Sequence, residues 1–104
     1  MLQNKFAKIK NSTIILCMQD KDKILQEAIG RVVKKVRKQK KLKFTIFCYE
    51  NDIAKTTLYM IENGKNKPYI TTLYEIIRHL GISNKEFGEL LDKELPKSYW
   101  ENEE

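Results

Sequence analysis

The chain is poor in the residues that build disulfide frameworks, phosphate-binding loops and membrane spans. Its 104 residues include 2 cysteines, 4 glycines and 2 prolines. Two cysteines are too few for a disulfide framework, and the longest apolar run, residues 14–18, is far too short to cross a bilayer. That run leads into Gln-Asp-Lys-Asp instead of a small-residue cleavage site, which excludes a signal peptide. We therefore expect a cytoplasmic protein without a membrane partner.

Residues that commonly carry catalysis are also scarce. The glycines are scattered along the chain, so no glycine-rich phosphate loop is present. His79 is the sole histidine and lies late in a predicted helix, where a solvent-facing role is expected. Glu86 and Glu89 lie three residues apart without a histidine or cysteine nearby in sequence, which favours surface charges over a metal site. We predict that the protein is not an enzyme and that it uses no cofactor or metal.

Positive charge is abundant and unevenly distributed. The formal net charge is +6. Residues 28–49 contain basic side chains and no acid, whereas acids outnumber bases from residue 86 to the end. This distribution predicts a basic body with an acidic tail and favours a polyanionic partner such as nucleic acid. The alternative is that the basic run is the solvated face of a helix.

Hydrophobic periodicity predicts five helices in one domain. The first is a long amphipathic helix whose start Asp20 or Asp22 can cap. The fifth begins after Ser83, where Glu86 completes a capping-box pattern, and it ends before Pro96. The first four helices span about residues 22–40, 44–50, 54–63 and 69–80. We predict a helical domain over residues 21–95 and an acidic tail over residues 96–104. The tail is expected to be solvated, except that Tyr99 and Trp100 can pack onto the body or onto a partner subunit.

The first 20 residues are the hardest to interpret. Residues 12–18 include Thr13, Ile14 and Ile15 in succession, a β-prone pattern. This segment is either a short strand, which would pair with a second copy, or a poorly ordered arm. A third alternative is that Met18 is the natural start, because the helical pattern begins just after it.

The third predicted helix has few buried positions, Leu58 and Ile61. Its other positions are polar or able to make contacts, and the nearby acids are Asp52 before the helix and Glu62 at its end. The outward residues are Lys55, Thr56, Thr57, Tyr59, Met60 and Asn63. A helix that approaches phosphates is expected to have this composition.

Residues 42–83, LKFTIFCYENDIAKTTLYMIENGKNKPYITTLYEIIRHLGIS, resemble the Cro and phage-repressor family of helix-turn-helix regulators, a group often called Xre-like. With Arg37, the matching elements cover about half of the chain with their spacing kept. They are Leu42, Phe47-Cys48, Ile53, Leu58, Ile61-Glu62, Gly64, Pro68, Thr72-Leu73, Ile76 and Leu80-Gly81-Ile82-Ser83. The resemblance implies an all-α, five-helix lambda-repressor-like DNA-binding domain, preceded by a possible short strand or arm.

The resemblance also implies roles for individual residues. The recognition helix would be residues 54–62, inserted in the major groove of double-stranded DNA. The base-reading residues would be Lys55, Thr56 and Met60, flanked by Thr57 and Tyr59. Contacts to the DNA backbone would come from Lys43, Asn63, Lys65, Asn66 and Lys67. Arg37 and Glu62 would form a structural salt bridge between the first and third helices.

Three positions depart from the family pattern. Phe44 replaces a glutamine that anchors the second helix to phosphate, and Asp52 replaces the customary turn glycine. Ala54 replaces a serine that caps the recognition helix, a loss expected to cost about 1 kcal/mol. These changes leave the predicted fold intact and put the usual phosphate contact at position 44 in doubt.

The expected function is that of a sequence-specific transcriptional regulator, a repressor that acts as a homodimer on a palindromic operator. The alternative is the antitoxin of a toxin-antitoxin pair, which would hold a toxin protein with its N-terminal arm or acidic tail and autoregulate its operon. Within the regulator class, the alternatives are a phage repressor and a restriction-modification controller. A third alternative is a helical module that no longer binds DNA. The candidate dimer surfaces are the fifth helix with the tail, and residues 12–18.

Overall fold

Five α-helices make up the described part of the chain. The computed structural model describes the backbone of residues 5–100 and the side chains of residues 21–100. The helices are α1 (Lys5–Gln39), α2 (Phe44–Glu50), α3 (Lys55–Glu62), α4 (Ile70–Leu80) and α5 (Asn84–Glu94). A short 3-10 helix, Lys97–Trp100, follows. No strand occurs in residues 5–100, so the predicted all-α, five-helix architecture is confirmed.

Helix α1 is longer than the sequence pattern predicts. It spans 35 residues from Lys5, so the predicted start near Asp22 and the alternative of a strand over residues 12–18 are wrong. Before Gly30 the sequence has no glycine or proline to interrupt the helix. The β-branched residues near Ile14 lower helix propensity only slightly. The role of residues 1–20 as a partner-binding arm lies outside the described side chains.

The core forms around the second half of α1. This helix packs against α3, α5 and α4, while α2 packs against α3 and α4 against α5. Burying an aliphatic or aromatic side chain contributes about 1.5–3 kcal/mol. The fully buried side chains include Val32 and Val33 of α1, Leu58 and Ile61 of α3, and Ile76 and Leu80 of α4. The central position of α1 makes it the helix against which α3 is oriented.

Gly30 permits a close approach between α1 and α3. A Cβ atom at this position would lie 2.7 Å from the carbonyl oxygen of Glu62 and closer still to that of Ile61. These are backbone atoms, which cannot rotate away as a flexible side chain would. The absence of a side chain at Gly30 therefore sets the distance between the middle of α1 and the end of α3.

Three successive helices end in the same way. After α1, the Lys41 amide donates to the Lys38 carbonyl at 3.0 Å and the Leu42 amide to the Arg37 carbonyl at 2.9 Å. This pair of bonds defines a Schellman motif, in which the first of the two donating residues adopts a left-handed backbone conformation. The same pattern closes α2 and α3, and the three left-handed residues are Lys41 (φ 59°), Asp52 (φ 55°) and Gly64 (φ 63°). Of these, Asp52 and Gly64 were recognisable from sequence as residues at which a helix ends, whereas Lys41 was not.

The two ends of α5 are fixed by different interactions. At its start, the Ser83 hydroxyl accepts a hydrogen bond from the Glu86 amide at 3.0 Å, which is the predicted cap. At its end, Glu94 accepts a hydrogen bond from Arg31 at 2.8 Å and lies 3.5 Å from Lys35 Nζ. The Arg31 hydrogen bond lowers the pKa of the Glu94 carboxyl below its usual range. These contacts join α5 to α1.

The segment after α5 is not a wholly solvated tail. Tyr99 is buried, and its ring meets that of Trp100 edge to face at 4.7 Å. The Lys21 Nζ atom lies 5.0 Å from the centre of the Tyr99 ring, within range of a cation–π attraction. Of the alternatives for Tyr99, the structure shows packing onto the body of the domain, because an aromatic ring gains more by packing than by exposure.

Replacement of glycine by alanine should have opposite effects on the free energy of unfolding at positions 30 and 88. Gly30→Ala should lower the free energy of unfolding by about 1–3 kcal/mol, because the new methyl group meets rigid backbone. Gly88→Ala, in α5, meets nothing within 4 Å and should raise it by up to about 1 kcal/mol, the usual helix-propensity gain. Urea denaturation of both variants measures this. A stabilising Gly30→Ala substitution would contradict the close approach.

The Glu94 pairing predicts a pH-dependent difference in stability. Because its pKa is lowered in the folded state, the pairing stabilises the fold above the unfolded-state pKa and is lost as pH falls through the folded-state pKa. Glu94→Gln should therefore cost up to about 1 kcal/mol at neutral pH and nothing in acid. Denaturation at a series of pH values checks this, with Glu89→Gln as the matched control. A difference that persists unchanged in acid would exclude the electrostatic origin.

Candidate nucleic-acid interface

Helix α3 presents one face to solvent and buries the opposite face. Leu58, Ile61 and Glu62 are buried against the rest of the domain. Lys55, Thr56 and Tyr59 are exposed, and Tyr59 retains 52% of its accessible surface. The three exposed side chains cover the first two turns of the helix on the side away from the core. The structure thus brings three of the five predicted base-reading residues onto one accessible surface.

The other two predicted base-reading residues are less accessible. Thr57 and Met60 are both half-buried. Thr57 lines a shallow depression together with Thr72, Glu75 and Ile76 of α4. The helical pattern alone does not show which neighbour a half-buried residue faces. Thr57 was therefore predicted to be exposed together with the other outward residues. Thr57 faces α4, at the border of the exposed face.

The start of α3 has no side-chain cap. Ala54 occupies the N-cap position in an extended conformation and offers no hydrogen bond. The first amide groups of a helix have no acceptor within the helix, so those at the start of α3 are left for solvent or a ligand. The lysine at position 55 adds a positive charge at the same end. This end of the helix is therefore suited to approach an anionic group.

Four of the five residues predicted to contact the DNA backbone lie at the end of α3 and in the loop after it, and two of these four are engaged within the protein. The Asn63 side-chain amide donates to the Tyr59 carbonyl at 2.8 Å. The Lys67 ammonium lies 2.8 Å from the Asp22 carboxylate on α1. Within the described part of the chain, the buried Asn66 side-chain oxygen has no hydrogen-bond partner. Lys65 is exposed, which makes it the most available residue of this loop.

Arg37 and Glu62 form a buried salt bridge between α1 and α3. Arg37 donates through Nε to Glu62 at 2.6 Å and through its second terminal nitrogen at 3.1 Å. Its remaining terminal nitrogen donates to the Leu42 carbonyl at 2.8 Å. The side chains are 7% and 3% exposed, so both charges are almost fully removed from water. One guanidinium group thus joins the end of α1, the following turn and the end of α3.

The aromatic ring of Phe44 covers this salt bridge. The guanidinium carbon of Arg37 lies 5.4 Å from the centre of the Phe44 ring, at a distance typical of a cation–π contact. Phe44 is half-buried. The phenylalanine that replaces the family's glutamine therefore has a structural role, because its ring shields the ion pair from solvent.

Cys48 lies in the same region and is chemically quiet. The thiol is free and buried. Burial, followed by the negative charge of Glu62, raises the pKa of this thiol above its ordinary value. The protonated form is a poor nucleophile, so Cys48 serves as a packing residue.

A second basic surface adjoins the salt bridge, within the basic run that the sequence indicated at residues 28–49. Lys38, Lys41 and Lys43 line a shallow depression with Arg37 and Leu42. All three lysines are exposed. Of these, only Lys43 was predicted as a backbone contact. The left-handed turn at Lys41 reverses the chain, and this reversal places lysines from both sides of the turn around one depression.

Two kinds of site are absent from the described residues. No group of histidine, cysteine and acidic side chains in this part of the chain could hold a metal ion. None of its helices combines the length and apolar character needed to cross a membrane.

Comparison with known proteins points to regulators that act on DNA. No family model and no curated protein matches the chain. A solved structure does match, that of a restriction-modification controller protein crystallised as a tetramer in complex with its natural 35-base-pair operator. The TM-score is 0.63 and the sequence identity 28%, over 67% of this chain and 92% of that chain. The chain is therefore similar, in sequence and in the arrangement of its helices, to a restriction-modification controller protein.

Proposed function

We propose that the protein is a sequence-specific DNA-binding transcriptional regulator that reads an operator with α3. The observation that carries this proposal is the exposed face formed by Lys55, Thr56 and Tyr59 on a helix whose buried face is anchored to α1. The similarity to a controller protein in complex with its operator supports it.

The chemistry of the exposed face suits base edges in the major groove. A lysine ammonium group donates to guanine O6 or N7. A threonine offers a hydroxyl group for hydrogen bonding and a methyl group for contact with thymine. Tyr59 adds a ring with a hydroxyl group one turn later. Met60 and Thr57, at the borders of this face, are secondary candidates for contacts to bases.

Contacts to the DNA backbone come from two places in this proposal. Lys65 lies in the loop after α3, and the lysines at positions 38, 41 and 43 surround the depression beside the salt bridge. Lysines that contact phosphates fix the register of the protein without reading sequence. The second group supplies the anchoring charge that Phe44 cannot provide.

The regulator acts as a homodimeric repressor on a palindromic operator in this proposal. A two-fold protein matches a two-fold site, with half-sites about one helical turn apart. The proposal includes no enzymatic activity and no cofactor.

The antitoxin alternative receives no support from the described residues. It assigned toxin binding to the N-terminal arm, whose side chains lie outside the described residues, or to the acidic tail, of which Tyr99 is buried within this chain. The alternative of a helical module that does not bind DNA is tested by measuring whether the wild-type protein binds DNA at low salt.

Lys55→Ala should change sequence preference. Losing a lysine that donates to a guanine should cost about 1–3 kcal/mol on the preferred sequence and relax the preference at one base position. Selection of bound DNA from a random pool, followed by fluorescence anisotropy, measures both effects. Lys85→Ala, on α5, is the matched control. If the wild-type protein binds no DNA even at low salt, the proposed function is wrong.

Lys38→Gln/Lys43→Gln should weaken binding to all sequences alike. Each lost phosphate contact should make the slope of log K against log salt shallower by about 0.9. The double variant should therefore reduce the slope by up to about 2 while the selected sequence stays the same. Lys85→Gln/Lys93→Gln removes the same charge from α5 and should leave the slope unchanged. Equal slopes for the two double variants would show that the depression does not contact DNA.

A further inference from the structure

The side of α1 that faces away from the core carries positive charge only. Between Ala28 and Gln39, every exposed charged residue of this helix is basic. Four of these side chains line one shallow depression together with Glu94 of α5. They are Arg31, Lys34, Lys35 and Lys38, and they are called the α1 basic face. Four positive charges and one negative charge give the depression a formal net charge of +3.

The charges of the α1 basic face repel one another. Two pairs of these residues are four apart in sequence and two pairs are three apart. Side chains at these spacings are neighbours on a helix, where like charges are destabilising. Glu94 compensates Arg31 at 2.8 Å and Lys35 at 3.5 Å. Lys34 and Lys38 have no salt bridge within the described part of the chain. The repulsion is therefore relieved only in part by the protein itself.

The other helices of the domain do not share this concentration of one sign. Helix α5 exposes two bases and three acids, α4 exposes one base and one acid, and α2 exposes one acid. These residues are Lys85, Lys93, Glu86, Glu89 and Asp92 on α5, Arg78 and Glu75 on α4, and Glu50 on α2. A helix face that is merely solvated commonly alternates in sign, as α5 does. The α1 basic face departs from that pattern, which favours a binding surface for an anionic partner over a solvated face.

The composition of the α1 basic face distinguishes among anionic partners. None of the large hydrophobic side chains exposed in the described residues lies on α1. A helix that lies on a membrane buries apolar side chains in it, and single-stranded nucleic acid is held by aromatic rings on which its bases stack. The α1 basic face has neither kind of group. Its cationic side chains alone suit the phosphates of a DNA double helix.

We propose that the α1 basic face binds the backbone of a second segment of double-stranded DNA, independently of its sequence. The inference rests on the proposed function, in which α3 holds the first duplex. Contacts to phosphates carry no sequence information, so the second segment needs no operator. One protein molecule then connects two duplex segments, one through α3 and the other through α1.

The direction of the α1 basic face separates it from the duplex that α3 reads. Gly30 and Arg37 mark the side of α1 that meets α3. At about 100° per residue, most of the α1 basic face lies roughly 80–140° round the helix from Gly30. The exposed face of α3 is opposite its buried face and so points away from α1. The two surfaces are therefore directed about a right angle apart, and a straight duplex along α3 does not cover the α1 basic face.

Lys38 lies at the border between the two surfaces. It lines the depression of the α1 basic face and also the depression beside the salt bridge, which the proposed function assigns to the first duplex. Lys34 and Lys35 line the first of these depressions and not the second. These two lysines therefore report on the second segment alone.

A DNA-bridging assay with the full chain tests the proposal. A duplex with the selected operator sequence is fixed to beads, and a fluorescent duplex of scrambled sequence is added with the protein. The wild-type protein should retain the fluorescent duplex on the beads. Lys34→Gln/Lys35→Gln should lose most of this retention, and its affinity for the scrambled duplex should depend less on salt, with a slope shallower by up to about 2.

Lys85→Gln/Lys93→Gln is the matched control, because it removes the same charge from α5. It should retain the fluorescent duplex as the wild type does. Both double variants should bind the operator duplex equally well, since neither changes α3. Glutamine and lysine have similar helix propensities, and circular dichroism verifies that each variant is folded.

Lys34→Glu provides a test that a purely structural role would not pass. The new carboxylate would lie four residues before Lys38 and three after Arg31, so repulsion is replaced by attraction and the urea midpoint should rise. Retention of the fluorescent duplex should fall in the same variant. A gain in stability with a loss of binding is expected where a surface is kept basic for a partner. A Lys34→Glu variant less stable than the wild type would contradict the repulsion on which the inference depends.

Three results of the bridging assay would overturn the inference. The first is a wild-type protein that binds the operator but retains no scrambled duplex, and the second is equal retention by the two double variants. The third is retention only of a second duplex that itself carries the operator, which would assign the bridge to a second copy of α3. A single strand of the same length, in place of the scrambled duplex, should be retained less well. Better retention of the single strand would contradict a surface that binds duplex phosphates.

Fluorescence anisotropy with the scrambled duplex alone separates this inference from the proposed function. A wild-type protein that selects no sequence, but binds the scrambled duplex more weakly once Lys34 and Lys35 are replaced, refutes the proposed function and supports the inference. A wild-type protein that selects an operator, with both double variants binding the scrambled duplex alike, refutes the inference alone.

Discussion

The orientation of α3 depends on a buried ion pair between Arg37 and Glu62. Removing two charges from water costs several kcal/mol for each ion, and their attraction compensates only when the geometry is good and the remaining hydrogen-bonding groups are satisfied. Arg37 meets both conditions through two bonds to Glu62 and one to the Leu42 carbonyl. The Phe44 ring covers the pair on one side. Such a pair contributes mainly to the specificity of the fold, because α3 must be placed so that all these hydrogen bonds form together.

Gly30 and Arg37 act on the same end of α3. They are seven residues apart and therefore lie two turns apart on one side of α1. Gly30 lets the backbone of Ile61 and Glu62 approach, and Arg37 binds the side chain of Glu62. The C-terminal end of α3 is thus fixed twice, by shape and by charge. Its N-terminal half, with Lys55 and Thr56, projects from this fixed end toward solvent.

The sequence predicted the helices after residue 43 well, because each has a regular apolar pattern and an explicit ending such as Gly64, Gly81 or Pro96. The start of α1 was not predictable in this way, since the regular apolar pattern that indicates the helix begins only at Ile24. Gly30 carries no sequence signal, because a glycine in a helix has meaning only once its neighbour is known. The left-handed conformation of Lys41 was not predicted, because residues with side chains rarely adopt it. The direction of Thr57 likewise depends on α4, which sequence periodicity does not place.

The turns on both sides of α2 have a consequence for motion. This helix has 7 residues, and both the turn before it and the turn after it contain a left-handed residue with a side chain, Lys41 and Asp52. The left-handed conformation is sterically less favourable for a residue with a side chain than for glycine, and it is a glycine that ends α3. Few of the side chains of α2 are buried, Phe47 and Cys48. Segments with little burial and strained ends open first in native-state hydrogen exchange. The α2 amides are therefore expected to exchange before those of α3, so that α2 is the more flexible of the two helices.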